Sequence, residues 1–182
     1  GRVEQLAESG VDAISFSGSL DDARALALAC AQRLVPCKVE LTGTSADAAA
    51  LVLADAPFPR AVRGVADHAI TGAPPWMARL RRVYVERAVS SAFLEGLRPL
   101  LEAAELPLRV SSNLLGLDEL PDEASVVRVF VVSDAAAAVE AINQRSLALP
   151  VTSVSVWSKR PDKTRLRALR AASITLQTHG VP

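Results

Sequence analysis

Ala13-Ile14-Ser15-Phe16-Ser17-Gly18-Ser19-Leu20-Asp21-Asp22 reads as a short strand, a tight turn and the start of a capped helix. Ala13 to Phe16 is the strand, and Gly18-Ser19 opens the turn. Ser19 is placed to accept an orphan amide of the first helical turn, and Asp22 suits the positive end of the helix dipole. The helix, rich in Ala and Leu, runs to about Leu34. Pro36 ends it, because the residue before a proline is pushed out of the helical region. Cys37 to Thr42 then has the look of a strand. One strand, one helix and another strand set the theme of the chain.

The theme continues. Ala50 to Leu53 is a short apolar strand. Pro59 to Ile70 is a helix, with Val62, Val65, Ala66 and Ala69 on one stripe at spacings of three and four. Gly72-Ala73-Pro74-Pro75 stops it. Arg82 to Glu86 is a strand with Val83 and Val85 on one face, and Val89 to Ala104 is a helix that Pro99 should kink or split. Leu108 to Ser112 follows as a strand, and Asn113 to Glu123 is polar and turn-rich. Val126 to Val132 is a β-branched strand, Ser133-Asp134 cap an Ala-rich helix to about Gln144, and Thr152 to Trp157 is a strand. Pro161 starts a cationic helix through Arg170, and Ile174 to Gln177 is the last strand. Alternating strands and helices predict an α/β fold with a partly parallel sheet.

Composition narrows the classes of function. The chain has 182 residues; 50% are hydrophobic but 4% are aromatic, so the core must be built from Ala, Val and Leu. Lys plus Arg and Asp plus Glu are both 20, giving a formal net charge of zero. No basic excess points to nucleic acid or an anionic membrane surface, and low net charge eases self-association or a protein partner. Cys30 and Cys37 are the two cysteines; they form no C-x-x-C pair, and no metal-ligand set is visible. Two such thiols suit a reducing compartment. No apolar run reaches the roughly 18 residues needed to span a bilayer, and no signal-peptide layout is present. The expectation is a cytoplasmic protein. Each cysteine reads as a small buried hydrophobe, with Cys37 facing away from Lys38 and Glu40 by strand alternation.

Three segments taken in order, Ile14 to Ser19, Val39-Glu40-Leu41-Thr42-Gly43 and Arg82-Val83-Tyr84-Val85, resemble the aldehyde dehydrogenase family. The likeness runs from about Val11 to His179 and corresponds to the second half of a complete subunit. In active members a cysteine thiolate attacks the aldehyde carbonyl, hydride passes to NAD(P), and a glutamate activates the water that releases the acid. The resemblance implies a three-layer α/β fold with a mostly parallel sheet, like the family's catalytic domain. It makes residues 1–36 a remnant of the nucleotide-binding region and residues 37–182 a truncated catalytic domain.

Residue by residue, the match is partial. Ser17-Gly18-Ser19 matches the turn that meets the cofactor, though it is equally an ordinary strand-to-helix turn with a good cap. Glu40 matches the general base. Its segment reads Glu-Leu-Thr-Gly-Thr where the family has Glu-Leu-Gly-Gly-Lys, so Thr42 and Thr44 replace a glycine and a lysine. Met77 stands five residues ahead of Arg82, where the nucleophilic cysteine is expected. A thioether has no thiolate form and cannot perform acyl transfer. Gly72 falls where an oxyanion-stabilising asparagine is expected. Pro121 to Val126 stands where the family has Glu-x-Phe-Gly-Pro-Val; Asp122 or Glu123 could replace that glutamate, or serve as loop charges. Gln177 replaces a closing asparagine.

His68 and His179 have no acid and nucleophile partners at recognisable spacing, and the Lys159 to Arg170 run reads as a solvated basic face. The leading expectation is a pseudoenzyme: a non-catalytic domain with a structural, oligomerisation or regulatory role. Glu40, Ser17, Gly18 and Ser19 would be vestigial and Met77 the position of the lost nucleophile. Its partners would be copies of itself or an active dehydrogenase-type protein. No cofactor is expected, and NAD(P) only if the missing nucleotide-binding half is supplied. Two alternatives stand beside it: a dehydrogenase component completed by another segment or chain, and a small-ligand binding module reusing the cleft.

Overall fold

A computed structural model describes residues 4–41, 47–71, 80–111, 126–145 and 151–177. The opening stretch folds as its turn chemistry dictates. Helix α1 (Glu4–Glu8), strand β1 (Ile14–Gly18), helix α2 (Leu20–Arg33) and strand β2 (Cys37–Leu41) follow one another. Ser19 is the N-cap of α2: its Oγ accepts the Asp22 amide at 3.2 Å and donates to Asp22 Oδ2 at 2.7 Å. Leu34 closes the helix in the left-handed region at φ 57°, and the Val35 amide returns to the Cys30 carbonyl at 3.0 Å. That is the geometry of a Schellman turn, here without its usual glycine.

β1 and β2 pair in parallel, Ile14 beside Cys37 and Ser17 beside Glu40. Their apolar side, Ile14, Phe16 and Cys37, packs with Val35 against Ala7, Leu26, Ala29 and Cys30. This two-stranded sheet is separate from the larger one. The boundary expected between residues 36 and 37 therefore passes between paired strands, and Glu40 belongs to the same small sheet as Ser17.

The rest builds the main sheet: β3 (Asp47–Val52), α3 (Phe58–Ile70), β4 (Leu80–Glu86), α4 (Arg87–Ala103), β5 (Leu108–Ser111), β6 (Val127–Val132), α5 (Ala135–Arg145), β7 (Val151–Trp157), α6 (Lys163–Leu166) and β8 (Ala171–Gln177). The strand order is β5-β6-β4-β3-β7-β8, and every pairing is parallel. A parallel sheet must be covered on both faces. On one face α3 and α4 pack Val62, Val65, Phe93, Leu97 and Leu101 against Val52, Val83, Val85 and Val129. On the other, Ala138, Val139 and Ile142 of α5, with Leu166 and Leu169, cover Leu51, Tyr84, Phe130 and Val156. The architecture is three layers, α/β/α: alternation predicted the α/β class, and the resemblance implied the three layers. Close approach is local: a Cβ on Gly64 of α3 would lie 2.2 Å from the Trp157 ring.

One helix is shorter than expected, and another is not split. Of the kink or split expected at Pro99, the split does not occur: α4 is continuous across it. Glu95 and Pro99 are both exposed, so the proline, which has no amide to give the Glu95 carbonyl, lies on the outer side of the helix. The cationic helix is one turn only. Asp162, not Pro161, caps it, accepting the Thr164 and Arg165 amides. Asn143 of α5 then holds the chain that follows: its Nδ2 donates to the Ala168 carbonyl and its Oδ1 accepts the Arg170 amide, both at 2.7 Å. With those backbone groups engaged by a side chain, the helix has no route to Arg170.

Candidate functional site

Glu40 lies on the open face of the small sheet. Alternation puts Ser15 and Ser17 of β1 and Lys38 and Glu40 of β2 on one exposed polar face, in register as Ser15 beside Lys38 and Ser17 beside Glu40. Lys38 Nζ sits 2.8 Å from Glu40 Oε1. The hydrogen bond and charge of Lys38 hold the Glu40 carboxyl below the ordinary carboxylate range, and Glu40 in turn pushes the Lys38 ammonium up. A general base works best with its pKa near the operating pH, which needs burial or like charge. Glu40 has neither: it is solvated, ionised and neutralised by its neighbour.

Ser17, Gly18 and Ser19 lead from β1 into α2, directly alongside β2. Gly18 is there for space: a Cβ would lie 2.6 Å from the tip of the Phe16 ring. Ser19 has its hydroxyl committed to the cap, and Asp21 and Asp22 place two carboxylates in the first turn. The structure thus brings Glu40 and the Ser17-Gly18-Ser19 turn together. Met77, Gly72, Thr42, Thr44, Asp122, Glu123 and His179 lie outside the described residues, so the nucleophile position is not placed against Glu40. Gln177 ends β8 beside Trp157. His68 is half-buried on α3, and burial lowers its pKa. Among the described residues no group of three or more His, Cys, Asp or Glu side chains is arranged to hold a metal ion. Among them too, no helix is long and apolar enough to cross a membrane.

Three arrangements were not foreseen from sequence. Arg109, Arg128 and Arg82 stand in register across β5, β6 and β4, and Arg82 and Arg128 are buried. Buried guanidinium groups need compensation, and each of the three has an interaction partner. The visible signal is arginine two residues ahead of an aromatic in both strands, Arg82-x-Tyr84 and Arg128-x-Phe130. At the carboxyl ends of β3 and β7, Asp55 accepts the Arg160 amide at 2.8 Å and the Ser158 hydroxyl at 3.1 Å. The chain leaves β3 toward one face and β7 toward the other, the kind of crevice where open α/β sheets bind ligands; here these hydrogen bonds tie the two loops to each other. Finally, Cys30 and Cys37 are neighbours in one apolar cluster.

The sequence profile of the aldehyde dehydrogenase family matches residues 3–110, which span β1, β2, β3, β4 and β5. The chain belongs to the aldehyde dehydrogenase family. Its fold is similar to that of an NAD-dependent aldehyde dehydrogenase from Sinorhizobium meliloti, with a TM-score of 0.78 and 16% identity over 99% of this chain and 46% of that one. It is similar also to an NADP-dependent glyceraldehyde-3-phosphate dehydrogenase from Bacillus halodurans, solved with NADP, with a TM-score of 0.75 and 15% identity over 97% of this chain and 46% of that one. An NAD-dependent benzaldehyde dehydrogenase from Corynebacterium glutamicum gives 0.72 and 20%, over 97% and 49%. The chain therefore spans about half the length of the solved relatives it matches. No curated protein sequence matches it. The α2 N-terminus of this family member does not by itself fit a dinucleotide phosphate: its cap hydroxyl is engaged, and Asp21 and Asp22 repel an anion there.

Proposed function

We propose that this aldehyde-dehydrogenase-like domain is non-catalytic and serves a structural, oligomerisation or regulatory role beside an active dehydrogenase-type partner. The observation that carries the reading is the state of Glu40: exposed, 2.8 Å from Lys38, and held ionised below the ordinary carboxylate range. A carboxylate in that condition gains little by taking a proton from water. Met77, a thioether at the position where the resemblance places the nucleophile, supports the same reading, because no thiolate is available for acyl transfer.

The role is tested by size-exclusion chromatography with light scattering, on the protein alone and mixed with a candidate active dehydrogenase. A stoichiometric complex or a defined oligomer is the expected result. A monomer that ignores every partner offered contradicts the scaffold role. Half-length coverage of NAD- and NADP-dependent relatives favours a second reading, in which these residues are one part of a dehydrogenase completed by another segment or chain.

A further inference from the structure

Cys30 and Cys37 are seven positions apart in sequence but share one small core. The Schellman turn at the end of α2 makes this happen. Leu34 takes the left-handed conformation, the Val35 amide returns to the Cys30 carbonyl at 3.0 Å, and the Pro36 carbonyl accepts the Ile14 amide at 2.9 Å. The chain is thereby folded back so that the first residue of β2 packs against the last turns of α2. Both cysteines are free thiols; Cys30 is buried and Cys37 half-buried. We propose that Cys30 and Cys37 are a modification site, oxidised by a hydroperoxide to a reversible intramolecular disulfide that joins the end of α2 to the start of β2.

The side chains are direct neighbours. Burial first, and then a hydrogen bond to the Cys30 thiol, push the Cys37 thiol above its ordinary value. Solvent reaches Cys37 more readily than Cys30, so Cys37 is the thiol a peroxide meets, and its raised pKa makes that step faster as pH rises. Its thiolate attacks one peroxide oxygen, the O–O bond breaks, and the sulfur becomes a sulfenic acid while the departing hydroxide takes a proton to leave as water. Cys30 then attacks the sulfenic sulfur; an S–S bond forms, the S–OH bond breaks, and the Cys30 proton leaves with that hydroxide as a second water. Two thiols lose two electrons and two protons, and one hydrogen peroxide is reduced to two waters. A dithiol reverses the step by exchange. Glu40 lies three residues beyond Cys37 on β2, and Ser17 of β1 is paired beside it, so the crosslink pins the strand that carries Glu40.

The test uses the native protein and hydrogen peroxide, followed by iodoacetamide and trypsin without reductant. Cleavage after Arg24, Arg33 and Lys38 separates residues 25–33, with Cys30, from residues 34–38, with Cys37. The expected result is an intact monomer lighter by two hydrogens, the two peptides linked, the link lost on adding dithiothreitol, and no link in Cys30→Ala or Cys37→Ser. Peptides that both carry an alkyl group after peroxide overturn the proposal. So does Cys37 carried on to a sulfinic acid, or a link between two chains. The wild-type digest alone decides the matter if either variant fails to fold.

Discussion

Lys38 and Glu40 show how one neighbour sets the chemistry of a side chain. They are two apart on a strand, hence on one face, and their 2.8 Å contact keeps the carboxylate charged. Glu40 has a depressed pKa in the folded state, so its contribution to stability is present above the ordinary glutamate value and is lost as pH falls through the depressed one. Replacing Lys38 with Met should move the Glu40 titration up toward the ordinary carboxylate range, followed by the carboxyl carbon shift in NMR. An unchanged titration would mean that Lys38 is not the cause. The position of Glu40 was legible in the sequence because the family motif surrounds it. Its poor fitness as a base was not, since that rests on solvent exposure and on which side chain shares its face.

At the scale of elements, what was legible was local. The Ser19 cap with Asp22 and the Val62, Val65, Ala66, Ala69 stripe are set within a few residues of sequence, and both stand in the structure. The failures were decided by groups distant in sequence. Asn143 stops the basic helix by holding backbone 25 and 27 residues away. Among the described residues β2 pairs with β1 and not with the main sheet, a choice on which strand pattern is silent. Pro99 is exposed on α4, so Pro99→Ala should stabilise the protein by up to about 3 kcal/mol, the intrinsic cost of a helix-interior proline. Gly64→Ala should do the reverse, costing about 1–3 kcal/mol, because the added methyl meets the Trp157 ring in a packed layer. Urea unfolding midpoints check both; a Gly64→Ala protein as stable as wild type would show that the indole can move aside.

Across the whole molecule, alternation was enough to predict an α/β fold, and the family resemblance supplied the three layers, because a parallel sheet demands helices on both faces. The acid limit of that fold should involve His68. Burial lowers its pKa, so the folded state binds the proton less well than the unfolded chain; its contribution is complete above about pH 6.5 and is lost as pH falls through the depressed folded value. His68→Gln should flatten the decline in melting temperature over that acid range, and an unaltered profile would assign the decline to other groups. We propose that this member of the family lacks the thiol chemistry of its active relatives, with Met77 where the resemblance places the nucleophile and Glu40 neutralised by Lys38. The most direct measurement is aldehyde-dependent formation of NADH or NADPH by the protein, over a panel of aliphatic and aromatic aldehydes. The account predicts no turnover above the uncatalysed rate. Sustained turnover that tracks the purified protein would contradict it.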